Sequence, residues 1–321
     1  MNIIFFGSDR FAVPALSYVI SSSHKVICAV TQPDRLKGRG LKLSCTEVKK
    51  IAEANKLRVY QPENVNSQES VKFLSELKPD ILAVVAFGQI LSKSVLEIPR
   101  ITAINLHASL LPKYRGAAPI NWAIIKGEKQ TGVSIIKMTP KMDAGPVILQ
   151  KSLDIGETDD TLTLEDKLSN LGADLLLEAL NLIQADKFNL AAQNEKDATF
   201  APKLKKEDAL IDWNKSAHYV FNLIRGCAGW PGAFTYFQGK ILKIHRAGIP
   251  EPEQHLELNK DLAALPGRVL GVSREGMLVA TGYGKLLIEE LQIEGKKKIS
   301  VREFISGYKI SVGEMLGIKS S

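Results

Sequence analysis

Apolar residues along the chain fall into two alternating rhythms. Residues 2–6 form a mostly apolar run that stops at Gly7-Ser8-Asp9, and residues 11–20 then carry apolar positions at helical spacing. Such a run, followed by a glycine turn and a capping Asp, predicts strand, turn and helix. The rhythm then recurs. Strands are expected at 25–31, 57–60, 80–86, 101–107 and 132–138, and helices at 46–54, 67–77, 118–126 and 161–183. The 80–86 run is apolar on both faces, as a strand in the middle of a parallel sheet must be. Strands alternating with helices predict an α/β fold with an open, Rossmann-like, mostly parallel sheet.

Beyond the long helix the texture changes. Residues 184–206 are polar and irregular, which reads as a linker, and a helix follows at 215–225. Short β-like runs then come at 233–237, 241–246, 268–272, 277–281 and 286–291, separated by glycine and polar turns. That pattern predicts a small C-terminal β-barrel of the OB-like kind. The expected division is an α/β domain at 1–188, a linker at 189–206 and a barrel domain at 207–321. The 251–264 stretch is the longest barrel connection and carries no recognisable signal.

Period-two alternation in 101–107 puts Ile104 and Leu106 on one face and Asn105 and His107 on the other. An amide that donates hydrogen bonds thus neighbours an imidazole that trades a proton near neutral pH. The pair suits chemistry at a carbonyl; it also suits a strand end whose histidine is bonded into the core. Open α/β sheets place their sites at the carboxyl ends of strands, which singles out the loops 7–10, 32–41, 87–89, 107–116 and 139–145. Asp143 lies in the last of these, beyond the 132–138 strand, where it can face His107 or serve merely as a turn residue before Ala144-Gly145-Pro146.

Composition narrows the classes. The chain's 321 residues, 45% hydrophobic and 24% charged, suit about two ordinary globular domains. One glycine follows the first strand where a dinucleotide fingerprint needs three, so nicotinamide and flavin cofactors are set aside. Cys28, Cys45 and Cys227 are far apart and suggest neither disulfides nor a metal site, with Cys28 reading as a small buried apolar residue. No segment approaches the roughly 18 apolar residues of a membrane span, and the start lacks the features of a signal peptide, so a cytoplasmic location is expected. The net charge of +7 favours a polyanionic partner. Residues 206–321 hold 16 Lys and Arg against 13 Asp and Glu, so the larger part of the excess lies before them. One concentration is the 35–42 stretch, with four cations in eight residues.

Several motifs together carry a resemblance. Asn105-Leu106-His107 is followed by Ser109-Leu110-Leu111-Pro112 and Tyr114-Arg115-Gly116, with Met142-Asp143-Ala144-Gly145 downstream. Phe6-Gly7-Ser8, Gln32-Pro33-Asp34, Gly38-Arg39-Gly40, Trp213 and Trp230-Pro231-Gly232 extend the pattern nearly end to end. The chain resembles the folate-dependent formyltransferases, and within them the branch that acts on methionyl-tRNA. That resemblance implies transfer of a formyl group from 10-formyltetrahydrofolate, without a metal, to the α-amino group of methionine on initiator tRNA; a monomer is expected. It implies that Asn105 and His107 stabilise charge developing on the formyl oxygen, and that Asp143 orients His107, favours its cationic form and helps relay the amine's proton. It implies further that Ser109, Leu110, Leu111 and Pro112 lie along the folate and that Phe87, Gly88 and Gln89 offer backbone groups to its pterin. Arg39 and Lys42 would contact the acceptor stem from a flexible loop, and Lys206 would meet RNA phosphate. Lys203, Lys205 and the 296–298 lysines are further phosphate candidates, while Trp213 and Trp230 read as packing residues.

Two other readings stay open from the residues. A formyltransferase acting on a small amine, such as a glycinamide nucleotide or an amino sugar, or a formylfolate hydrolase, would share the Asn, His and Asp set without needing the Arg39 loop and a separate barrel. An RNA-binding module with a decayed α/β domain would not be expected to keep all three residues.

Overall fold

A computed structural model describes residues 1–37, 42–250, 265–308 and 310–317. Its elements, in chain order, begin with β1 (Asn2–Gly7), α1 (Val13–Ile20), β2 (Lys25–Val30), β3 (Arg35–Lys37), β4 (Lys42–Ser44), α2 (Glu47–Ala54) and β5 (Val59–Tyr60). They continue with α3 (Gln68–Glu76), β6 (Ile81–Val85), α4 (Lys93–Leu96), β7 (Thr102–His107), α5 (Pro119–Ile125), β8 (Gln130–Lys137), β9 (Val147–Asp154) and α6 (Thr161–Gln184). The remainder is α7 (Ala217–Gly226), β10 (Phe234–Phe237), β11 (Lys240–Gly248), β12 (Val269–Val272), β13 (Met277–Ala280), β14 (Lys285–Ile293), β15 (Ile299–Ser300) and α8 (Val301–Gly307).

Two compact units result. The first comprises Met1–Pro119, Gln130–Asp154 and Leu164–Pro202. Its seven-stranded sheet runs β5-β2-β1-β6-β7-β8-β9. The strands from β5 to β7 pair in parallel, whereas β8 and β9 are antiparallel to their neighbours. The open, mostly parallel α/β sheet is therefore as expected, with an antiparallel edge the sequence did not reveal. All five residues of β6 are buried, which is why that run is apolar throughout. Ala103, on the His107 face of β7, joins a cluster with Ile4, Phe6, Val30, Leu74, Leu82, Val84 and Val95. Each fully buried Ile, Leu or Phe contributes about 1.5–3 kcal/mol. Leu106, on the opposite face, packs against Gly172 of α6. Thr46 and Ser67, accepting from Lys49 N and Ser70 N at 3.1 Å each, cap α2 and α3.

Three features of this unit depart from the sequence reading. The basic 35–42 stretch begins with β3, which pairs antiparallel with β4, and ends at Lys42, the first β4 residue, while Arg39 lies outside the described residues. Strand β9 was not expected. Residues read as a linker make sheet-like contacts: Ala191 pairs with Val147 and Phe200 with Arg115.

The second unit comprises Ile120–Lys129, Ile155–Thr163 and Lys203–Ser321. An antiparallel, barrel-like sheet ordered β10-β11-β14-β13-β12, with β15 added on β14, contains all five expected strands. Trp213 is 5% exposed and its Nε1 donates to Thr235 Oγ1 at 3.0 Å, so it is a core residue as expected. Trp230 is not: it is 53% exposed, carried outward on the turn after α7. Asn121 Nδ2 donates to Gly226 O at 2.9 Å, tying α5 to α7 inside this unit. The 251–264 connection lies outside the described residues. Among the described residues no helix is long and apolar enough to cross a membrane.

Candidate active site

Strand β7 ends at His107, with Val84 of β6 and Ile136 of β8 beside Asn105. Asn105 is half-buried and its amide hydrogen-bonds none of the described residues. His107 is 6% exposed, with Nε2 2.9 Å from the Tyr114 carbonyl oxygen. A carbonyl only accepts, so the ring carries a proton on Nε2 and leaves Nδ1 for other work. Nδ1 lies 3.7 Å from Asp143 Oδ2, beyond hydrogen-bond range but close enough for strong attraction to a proton placed between them. The group that hydrogen-bonds the ring is thus the Tyr114 carbonyl.

Asp143 reaches this position by a route the sequence reading did not foresee. Because β8 is antiparallel to β7, Lys137 stands opposite Ile104, so the end of β8 lies three residues, about 10 Å, back from His107. The two strands share no carboxyl end. The 138–146 connection crosses that distance and delivers Asp143 in the left-handed backbone region at φ +50°. Oδ2 accepts from the Gly116 N–H at 2.9 Å. Gly116 itself has φ +124°, and a Cβ there would stand 2.6 Å from Ala201 O, so only glycine presents its N–H in this way.

The loop between His107 and Tyr114 is held from beneath. Ser109, fully buried, donates its hydroxyl to Lys113 O at 2.6 Å. Ser134 Oγ donates to Ser109 O at 2.6 Å and accepts from Leu111 N at 3.1 Å, while Gln150 Nε2 donates to Leu111 O at 2.8 Å. Leu111 is buried, and Leu110 and Pro112 are partly exposed.

At the ends of β1 and β6 a second corner is built differently. Phe87 is buried and meets Phe6 edge-on at 5.3 Å. Its carbonyl accepts from Ser8 Oγ at 2.9 Å and Gln32 Nε2 at 3.2 Å. Gln89 Oε1 accepts from Val65 N at 3.0 Å, and its Nε2 donates to Glu63 O at 3.3 Å. Gly88 turns the chain at φ +92°, and the backbone N–H groups of Phe87, Gly88 and Gln89 donate to none of the described residues. Side chains here close the corner while backbone donors stay open.

The remaining candidates are scattered by comparison. Lys203, Lys205, Lys206 and the 296–298 lysines are exposed, and Lys298 Nζ is held by Glu290 at 2.6 Å. Cys28 is fully buried as expected, and burial pushes its thiol up to about 11. Among the described residues no group of three or more His, Cys, Asp or Glu could hold a metal ion.

Sequence reasoning passed over Ser134, Gln150, Gln193 and the side chain of Arg115. Arg115 is 2% exposed and donates to Gln193 Oε1 through Nε at 3.0 Å and Nη2 at 2.8 Å, and to Glu195 through Nη2 at 3.0 Å. Hydrogen bonds from Arg115 first, and from Lys141, draw the Glu195 carboxyl down to about 2. The available signal was a charged residue inside an otherwise apolar motif; its partners lie some 80 residues away and have none.

The arrangement offers an unpaired amide donor, an imidazole nitrogen facing a carboxylate, and open backbone donors nearby. These can hold an oxygen that gains negative charge and move a proton beside it.

Comparisons with known proteins fit that chemistry. The family described as "Formyl transferase" matches residues 1–180, and "Formyl transferase, C-terminal domain" matches residues 203–309. The chain is 44% identical to a methionyl-tRNA formyltransferase of Geotalea daltonii over 321 residues, covering 100% of both. It is 45% identical to that of Geotalea uraniireducens over 319 residues, covering 99% of each. An N-formyltransferase structure from Helicobacter canadensis, in complex with folinic acid and dTDP-3-aminofucose, shares the fold with a TM-score of 0.65 at 17% identity, covering 89% of this chain and 98% of that one.

Proposed function

The chain belongs to the methionyl-tRNA formyltransferases of the formyl transferase family, and on that premise we propose how its residues carry the reaction. The enzyme transfers the formyl group of 10-formyltetrahydrofolate to the α-amino group of methionine on initiator methionyl-tRNA, giving N-formylmethionyl-tRNA for translation initiation. The single observation that carries the residue assignment is the meeting of His107 Nδ1 and Asp143 Oδ2 at 3.7 Å beside an unpaired Asn105 amide.

When bound, 10-formyltetrahydrofolate supplies the carbonyl carbon that the amine attacks. The Asn105 amide donates to the carbonyl oxygen as charge builds on it, and an N–H at His107 Nδ1 donates beside it. Asp143 takes the proton that leaves the amine, directly or through a water; as the carbonyl re-forms, the bond from the formyl carbon to folate N10 breaks and N10 takes the Nδ1 proton, which Asp143 then restores. The Tyr114 carbonyl keeps the ring from rotating, and a fixed ring preserves the geometry that proton transfer requires. No covalent intermediate with the protein is needed.

The open N–H groups of Phe87, Gly88 and Gln89 suit the acceptor edge of a pterin, and Leu110, Leu111 and Pro112, with Ser109 holding their loop, line the path of the folate. The Helicobacter canadensis structure, which shares this fold, was determined in complex with folinic acid, and that supports folate binding by this fold. Arg39, Lys42 and Lys206 contact tRNA phosphates, and residues 207–321 form the tRNA-binding domain. The enzyme works as a cytoplasmic monomer, where initiator tRNA is charged and used.

Incubating the protein with methionyl initiator tRNA and 10-formyltetrahydrofolate, with a free amino sugar as control, tests the activity. Formyl-methionyl-tRNA alone is expected; formylation of the sugar alone overturns the reading. A salt titration of tRNA binding tests the phosphate contacts, since Arg39→Ala should reduce the slope of log affinity against log salt by about one.

A further inference from the structure

The tripeptide Tyr114-Arg115-Gly116 touches the proposed proton-handling pair at two points directly and reaches it at a third through Gln193. Its first carbonyl accepts from His107 Nε2 at 2.9 Å, and its last N–H donates to Asp143 Oδ2 at 2.9 Å. Between them the Arg115 side chain is buried and grips Gln193 Oε1 with two N–H groups, at 3.0 and 2.8 Å. Arginine has only donors, so the oxygen end of the Gln193 amide must face it. The nitrogen end therefore points away, and Gln193 Nε2 donates to Asp143 O at 2.8 Å and Gly145 O at 2.7 Å.

These two bonds fall on the part of the 138–146 connection whose backbone is least at ease. Asp143 sits at φ +50°, a region that costs a non-glycine residue about 1 kcal/mol or more. Among the described residues, the side chain that binds the Asp143 carbonyl is Gln193.

We propose that Gln193, its amide oriented by the buried Arg115, is the positioning residue that holds the Asp143 carboxylate opposite His107 Nδ1. Arg115 is the anchor, and Glu195 and Lys141 complete it: Glu195 accepts from Arg115 Nη1 at 3.2 Å and from Lys141 Nζ at 2.8 Å. Gln193 makes no hydrogen bond to the ring; it acts through Asp143. The inference rests on the assignment of Asp143 given above.

The test is a double-mutant cycle on the full-length enzyme with Gln193→Glu and Asp143→Asn. Glutamate at 193 still accepts from Arg115 but has no N–H for the two loop carbonyls. We expect Gln193→Glu to lower kcat about 10- to 100-fold with KM for 10-formyltetrahydrofolate and for methionyl-tRNA within about threefold of the parent. In the Asp143→Asn background the same change should lower kcat by less than about twofold, because the group it positions is already disabled. A kcat for Gln193→Glu within about twofold of the parent overturns the proposal, as does recurrence of its full effect in the Asp143→Asn background. Should Gln193→Glu fail to fold, Gln193→Asn takes its place in the cycle, since its amide is one methylene too short to reach both carbonyls. Near-normal turnover of Asp143→Asn alone is a different result: it removes the assignment of Asp143 itself, whereas additivity removes only the role of Gln193.

Discussion

The carboxyl ends of β7 and β6, only one strand apart in the sheet, solve opposite problems. At β7 the side chains are left available: the Asn105 amide has no hydrogen-bond partner among the described residues, and His107 Nδ1 faces Asp143 at 3.7 Å without a hydrogen bond. At β6 the side chains are used up, with Ser8 and Gln32 donating to the Phe87 carbonyl and Gln89 bonded to the backbone of Val65 and Glu63, while the main-chain N–H groups of residues 87–89 bond none of the described residues. The difference teaches where chemistry and recognition separate. A group that must change charge or move a proton has to be an unencumbered side chain, whereas a ligand's fixed pattern of acceptors can be met by backbone donors held rigid by their neighbours.

The comparison is broken most directly at β7. His107→Ala or Asp143→Asn should lower kcat by about two to four orders of magnitude while folate affinity changes little, as read by steady-state kinetics and equilibrium binding. Near-normal turnover in either variant would leave β7 no different in kind from β6. Asn105→Ala should cost about 10²- to 10³-fold in kcat, the loss typical of one oxyanion donor. At β6 the pattern should invert. Gly88→Ala places a Cβ at φ +92°, strains the turn by about 1 kcal/mol and should raise KM for 10-formyltetrahydrofolate severalfold with kcat within about twofold. A kcat loss as large as that of Asn105→Ala would erase the distinction.

The smallest effect concerns pH. The Glu195 carboxyl, lowered to about 2, contributes stability that is full above about 4.5 and lost as pH falls through about 2. It therefore stays charged across the working range, and Glu195→Gln should leave every limb of the pH–turnover profile between about pH 5 and 9 in place. A limb that disappears in Glu195→Gln would put the titrating group in the anchor instead of at β7.

Much of the first unit was legible because its signals are local. The apolar runs of β1, β2, β6 and β7 follow from burial on both sheet faces, and the helices from their spacing and from caps such as Thr46 and Ser67. The shared face of Asn105 and His107 follows from the two-residue period alone. Other features had no local signature. Strand β9 has a single buried position, Ile148, with the rest half-buried or exposed, and Trp230, though aromatic, points outward on its turn. The second unit's strands were placed well because glycine and polar turns punctuate them, but the short β15, only two residues long, was not.

By itself the sequence determined the class of fold, the two-part organisation and, through its motifs, the family and its reaction. Those depend on residue type and short-range spacing, which a chain displays openly. Only the tertiary structure decided that β8 runs antiparallel, so that Asp143 reaches His107 by a crossing loop and not from a neighbouring carboxyl end. It alone decided that the Tyr114 carbonyl fixes the imidazole and that Gln193 grips the Asp143 loop from 50 residues away. Main-chain groups are identical at every position, and a glutamine far along the chain looks like any surface glutamine, so their use becomes visible only once the chain has folded around them.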